Sequence, residues 1–189
     1  MITLGNLKIG SDTLIFNICP AHDCPSKKLG LCQLPNPFYC YAFRDERRYP
    51  GTLQYRKRQA KYWDRVSVDE FVADVLSITR RRPHIKYLRV DEAGDFRNID
   101  DIRKVSEISE RLKAYGIRVY GYTARKDLMG GIETSDNLVI NGSGFIWDNA
   151  FMAVGELPKR GLKCAGNCRF CSLCKVAHGK PIYEKIRTI

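Results

Sequence analysis

Residues 86–123 read KYLRVDEAGDFRNIDDIRKVSEISERLKAYGIRVYGYT, and this stretch decides the fold. Lys86–Asp91 and Ile117–Thr123 are short runs rich in β-branched and aromatic residues, the composition of strands. Between them Ile102, Val105, Ile108 and Leu112 recur at the spacing of one helix face. Asn98 or Asp100 supplies the N-cap, and Gly116 stops the helix. A strand, a helix of crossover length and a second strand make a βαβ unit, whose strands lie parallel.

The pattern continues on both sides. Thr13–Ile18 (TLIFNI) is a short buried strand. Leu53–Arg65 is a basic helix. Ser67, with Glu70 three residues on, forms a capping box for a helix whose stripe is Val68, Phe71, Val72, Val75 and Leu76, ended by Pro83. A short helical piece at Arg125–Met129 leads to a strand at Leu138–Asn141, and Phe151–Val154 reads as another. The fold class is therefore α/β, a partial (β/α) barrel or an open parallel sheet, because the 189 residues fall short of the ~250 of a full barrel. Residues 1–160 form the core, including a Cys-rich loop at 19–49 that lacks a helical period. Residues 161–189 read as a C-terminal cluster-binding segment packed on that core.

The eight cysteines fall into two groups, Cys19, Cys24, Cys32 and Cys40, then Cys164, Cys168, Cys171 and Cys174. A disulfide framework suits small secreted chains, and nothing at the N-terminus reads as a signal peptide. The second group packs four thiols into eleven residues (CAGNCRFCSLC). Such close spacing suits a 4Fe–4S cube, whose separate irons are each within reach of a different thiolate. The first group, C-x4-C-x7-C-x7-C, suits a cluster or a zinc site alike. The expectation is two metal centres, both 4Fe–4S, with zinc an open alternative at the N-terminal group. His22, His84 and His178 read as bystanders.

In parallel sheets, ligands bind beyond the carboxyl ends of the strands. Three segments put polar residues there: VDEAGDF with Asp91, Glu92, Gly94 and Asp95, YGYTAR with Tyr122 and Thr123, and VINGSG with Asn141. The first strand delivers Cys19 to the same rim. Asp91, Glu92, Asp95, Tyr122 and Asn141 are the candidate catalytic residues, and Gly94 and Thr123 the candidate cofactor contacts. Each has a plainer reading: Asp95 as a cap or turn residue, Asn141 before Gly142 as a turn pair, Tyr122 and Thr123 as wall residues.

The CPAHDC, FYCYAFR, LRVDEAGDF and YGYTAR blocks and the closing cysteines, in this order from about Ile15 to Cys174, resemble the phage gene product eighty-eight family. The resemblance implies an iron–sulfur protein on a barrel-like core, of unassigned biochemistry, and a viral protein in a host cytoplasm. Cys164, Cys168 and Cys171 (C-x3-C-x2-C, with Phe170 before the last) are more loosely similar to the cluster motif of radical S-adenosylmethionine enzymes, which also use a partial barrel. That likeness alone brings in S-adenosylmethionine. The motif here follows the last strands rather than the first, and Cys174 stands ready as a fourth ligand.

Lys and Arg number 32 against 21 Asp and Glu, a net charge of +11. Arg44, Arg47, Arg48, Arg56, Lys57, Arg58, Lys61 and Arg65 concentrate it in segment 44–65, with Tyr49, Tyr55, Tyr62 and Trp63 interleaved. Basic residues among aromatics suit DNA or RNA, particularly single strands, and Arg56, Lys57, Arg58 and Lys61 are the candidate contacts. The plainer reading is a solvated basic face. No apolar run reaches the ~18–20 residues of a membrane span, so a cytoplasmic protein is expected. Oligomeric state has no signature in the sequence. Two functions follow: a redox or radical-type iron–sulfur enzyme acting on a small or nucleic-acid substrate, or a nucleic-acid-binding protein whose metal centres are structural.

Overall fold

A computed structural model describes residues 1–33 and 40–186. Part of the Cys-rich loop, including Phe38 and Tyr39 of the FYCYAFR block, lies outside the described residues, as do residues 187–189.

Among the described residues, eight strands form one sheet: β1 (Thr3–Leu4), β2 (Thr13–Phe16), β3 (Tyr87–Val90), β4 (Arg118–Thr123), β5 (Leu138–Ser143), β6 (Asn149–Val154), β7 (Leu162–Lys163) and β8 (Pro181–Lys185). Their order is β1-β2-β3-β4-β5-β6-β8-β7; β1 pairs antiparallel with β2, and the other pairs among these strands are parallel. From β2 to β6 the spatial order follows the chain, the winding that right-handed crossovers impose. The sheet stays open, with β1 and β7 at its edges.

The helices are α1 (Pro25–Lys28), α2 (Tyr41–Arg48), α3 (Pro50–Trp63), α4 (Val68–Arg81) and α5 (Ile99–Lys113). Both sequence-expected caps are present: Ser67 and Glu70 form the capping box of α4, and the Asn98 side chain accepts from the Asp101 N–H at the start of α5. Phe71 and Val75 of α4 and Ile102, Val105, Ile108 and Leu112 of α5 are buried. They pack on Leu14, Phe16, Leu88, Val90, Val119, Leu138 and Ile140, one face of the sheet.

Side chains alternate along each strand, so the residues between those positions serve the other face. Ile15, Arg89, Tyr120 and Val139 form one row across it. The two cysteine segments cover this second face.

One expectation needs correcting. The segment 19–49 is not all loop, since it contains α1 and α2. The YAFRDERR run of α2 shows no apolar stripe because its buried positions are Ala42 and Glu46. A buried glutamate satisfied by partners replaces the expected hydrophobe. The sheet also takes in two strands from the segment after Gly161: β7 and β8 continue it, and Ile182 is fully buried. No helix among the described residues is long and apolar enough to cross a membrane.

Candidate functional site

A cavity of about 430 Å³ lies against the second face of the sheet. Arg89, Tyr120, Tyr122 and Phe151 line it from the strands, and Asp91, Glu92, Gly94, Asp95 and Thr123 from the strand ends. Cys24, Cys32 and Cys40 contribute from the N-terminal side, and Cys164, Cys168, Cys171 and Cys174 from the C-terminal side. Two groups more than a hundred residues apart thus face one space. Cys19, also buried, lies close against Gly94.

The N-terminal segment is tied down by carboxylates. Glu46 accepts from the Ala21 N–H (2.7 Å), the His22 N–H (2.8 Å) and the Arg56 guanidinium (3.0 Å). Farther along, the Gln33 amide donates to the Ser143 hydroxyl and the Phe151 carbonyl and accepts from the Ala153 N–H. The segment therefore leaves β2, crosses the strand ends and fastens onto β5 and β6.

Asp95 is the knot of the rim. It accepts from Ser26 Oγ (2.5 Å), Thr123 Oγ1 (2.6 Å), the Ala124 N–H (2.8 Å) and its own neighbour's N–H at Phe96 (2.8 Å). Burial pushes its carboxyl up, against the downward pull of all four donors. With its acceptor sites filled, Asp95 joins α1, β3 and β4 as a structural link. Thr123 is engaged in the same knot.

Asp91 differs. Its backbone is left-handed (φ 53°), unusual for a residue other than glycine. One carboxyl oxygen accepts from the Ile18 N–H at 2.8 Å, and the other is buried with no hydrogen-bond partner. Burial pushes this carboxyl well up, so it keeps its proton to higher pH than an ordinary aspartate. Glu92 accepts from the Asn6 amide at 3.0 Å, and its backbone carbonyl takes the Tyr41 hydroxyl.

Four of the five candidate catalytic residues line the cavity. Asn141, fully buried, stands behind it. Its amide donates to the Gly121 and Cys174 carbonyls, and its oxygen accepts from Asn149, which in turn holds Val176 and His178. The two asparagines fasten the C-terminal cysteine segment to β5 and β6.

The C-terminal thiols line the same wall of the cavity. Burial pushes Cys174 up to about 11, a Tyr122 hydrogen bond works the other way, and the charges of Cys164, Cys168 and Cys171 add to the rise. Cys164 is also pushed up, by burial and by Cys168 among others. At the N-terminal set, burial pushes Cys24 up to about 12 and Cys19 higher still, with Asp91 adding to the rise at Cys19. Cys19, Cys24, Cys40 and the C-terminal four are free thiols. Among the described residues, no three His, Cys, Asp or Glu side chains converge closely enough to hold a single metal ion.

The basic segment divides. Arg56, expected among the nucleic-acid contacts, is buried and donates to Glu46 and the Ala42 carbonyl. Arg58 and Lys61 are exposed on α3, Lys57 is partly exposed, and Arg44, Arg47, Arg48 and Arg65 are exposed nearby.

The sequence reading missed Arg89, Gln33 and Asn149. For Arg89 a signal existed. A strand buried on both faces should be apolar throughout, and an arginine between Leu88 and Val90 marks the second face as occupied by something polar.

Residues 3–181 match the family model described as Gene product 88. The comparison with curated proteins gave no match, and neither did the comparison with solved structures.

Proposed function

We propose that this chain, which belongs to the gene product 88 family, is an iron–sulfur protein and a redox- or radical-type enzyme whose substrate enters the cavity between the two cysteine groups. The observation that carries the reading is the placement of seven of the eight cysteines around one space of ligand size. Thiols spread around a shared space, rather than converging on a point, suit a cluster whose irons are several ångströms across better than a lone zinc ion. Cys164, Cys168, Cys171 and Cys174 are the ligands of a C-terminal 4Fe–4S cluster, and Cys24, Cys32 and Cys40, with Cys19 behind them, supply the N-terminal centre. A bound cluster contributes one-electron chemistry.

The chain's own residues do the rest. Tyr122 donates to Cys174, a hydrogen bond of the kind that tunes a cluster ligand. Asn141 and Asn149 fix the backbone that presents Cys174. Asp91, whose carboxyl burial pushes up, lines the cavity wall and is the candidate proton donor.

Anaerobic purification followed by iron, sulfide and zinc analysis tests the reading. Brown protein with iron and sulfide in equal amounts is expected, with both reduced when Cys168 and Cys171 are changed to serine. Colourless protein that takes up no iron and sulfide on reconstitution overturns it. A spectrum that changes when S-adenosylmethionine is added would support the radical version, and an unchanged one leaves the redox version.

The exposed Arg58, Lys61 and Arg65 favour a second reading, in which the α3 face binds nucleic acid and the metal centres are structural. It requires salt-dependent binding of single-stranded DNA or RNA. No binding at low salt rules it out.

A further inference from the structure

We propose that Arg89 is the anchor of an oxyanion subsite in the cavity, built to take the carboxylate or phosphate head of a small ligand with a flat apolar body. The inference names the ligand class of the site described above, and it rests on that reading only where it makes this ligand the substrate.

Arg89 sits in the middle of β3, and strand alternation sends its side chain to the cavity face, opposite Leu88 and Val90. Its guanidinium lies over the Tyr122 ring, 5.0 Å from the centroid. Its Nε is buried without a hydrogen-bond partner. Among the described residues the guanidinium makes no hydrogen bond and stands within ion-pair distance of no carboxylate. Its surroundings are the phenols of Tyr41, Tyr120 and Tyr122, with Glu92 the acidic group beside them. The Glu92 carboxylate is taken by Asn6.

Arg89 is partly buried with its Nε enclosed, and the contrast with the buried cations is informative. Arg56 is paired with Glu46, Arg125 with Asp127, and Lys175 lies 3.7 Å from Asp12. A charged group withdrawn from water is costly unless something answers it. Arg89 alone of these four has no anion within ion-pair distance among the described residues, and it opens onto a cavity of about 430 Å³, the size of a small-ligand site. The planar fork of donors matches the two oxygens of a carboxylate or phosphate. Tyr122 packs edge-on to Phe151 at 5.3 Å and supplies an aromatic wall beside the fork.

Phenyl phosphate and benzoate are suitable probes, with the neutral isostere benzamide as control, measured by calorimetry on anaerobically purified protein. Wild type should bind an anionic probe and not benzamide. Arg89→Gln should lose roughly tenfold or more in affinity, and Arg89→Lys should keep part of it. Phenylglyoxal mapping provides a measurement independent of variants that fail to fold: a bound probe should protect Arg89 and leave exposed Arg58 reactive. Absence of anion binding by wild type, equal binding by Arg89→Gln, or no protection overturns the proposal. So does loss of iron from Arg89→Gln without any anion binding in wild type, because the guanidinium then answers the charge of a cluster. Protein that holds no iron but binds the probes through Arg89 sustains the subsite and removes the iron–sulfur reading, so the two can fail separately.

Discussion

A Cβ built on Gly94 would fall 2.2 Å from the carbonyl oxygen of Cys19 and 2.7 Å from its Sγ. Gly94 also has φ +81°, a conformation that other residues adopt only under strain. The turn after β3 thus closes directly onto the end of β2. Gly94→Ala should destabilise the protein by about 3 kcal/mol, combining overpacking with backbone strain. Urea unfolding reads this directly. A loss under about 1 kcal/mol would mean that the two strand ends are free to part.

Asp95 supports the same junction from the other side. Asp95→Ala leaves the N–H groups of Phe96 and Ala124 and the hydroxyls of Ser26 and Thr123 without their acceptor. The expected cost is about 3–5 kcal/mol, since each buried orphan costs about 1–3 and relaxation recovers part of the sum. If Asp95 were instead a catalytic acid, Asp95→Asn would abolish turnover with little change in stability. The geometry predicts the reverse emphasis, a large fall in unfolding midpoint for both variants.

Arg56 and its neighbours separate structure from binding. Arg56→Ala leaves Glu46 buried without its cation, although the Ala21 and His22 N–H groups remain. Breaking such a pair costs about 3–5 kcal/mol. Arg58→Ala with Lys61→Ala removes exposed charges and should leave the unfolding midpoint within experimental scatter. Any nucleic-acid affinity should fall, and its salt dependence flatten, in the double variant. Should Arg56→Ala fold normally and lose only nucleic-acid binding, the buried assignment is wrong.

The sheet was legible in the sequence because its signals are local. The α5 stripe from Ile102 to Leu112 and the Ser67–Glu70 box each lie within one element, and both appear in the structure. What escaped depends on distant partners. Glu46 makes sense inside α2 only once Arg56 is placed against it. Asn141 read as a candidate catalytic residue, or more plainly as a turn residue beside Gly142, and its fastening role emerges only when Cys174 and Asn149 come alongside. The two cysteine groups stand out in the sequence by their spacing. That they face one cavity follows from how β6 and β8 carry the C-terminal segment back across the second face, a pairing no spacing encodes.

Acid should weaken the fold through Asp101. Its carboxylate is buried at the start of α5 and accepts from the Arg97 side chain (2.9 Å), the Arg97 N–H (2.9 Å) and the Trp63 indole (2.7 Å). Burial on its own would raise this carboxyl, but the hydrogen bonds from Arg97 and Trp63 outweigh it, and the group lies below its ordinary value. A depressed carboxyl gives stability that is complete above the unfolded-state value, near pH 4, and is lost as pH falls through the lower folded value. Asp127 and Asp136 are also depressed, but they lie at the surface, where ion pairs are screened and contribute little. Unfolding curves between about pH 5 and pH 2 should therefore show a loss that Asp101→Asn largely removes and Asp136→Asn leaves in place. The Asp101→Asn protein should be weaker than wild type at neutral pH by about 2 kcal/mol, because the amide cannot accept the charged fork of Arg97 at both positions. An acid slope unchanged by Asp101→Asn would place the acid-sensitive contact elsewhere and would detach Arg97 from the packing of α5 on Trp63.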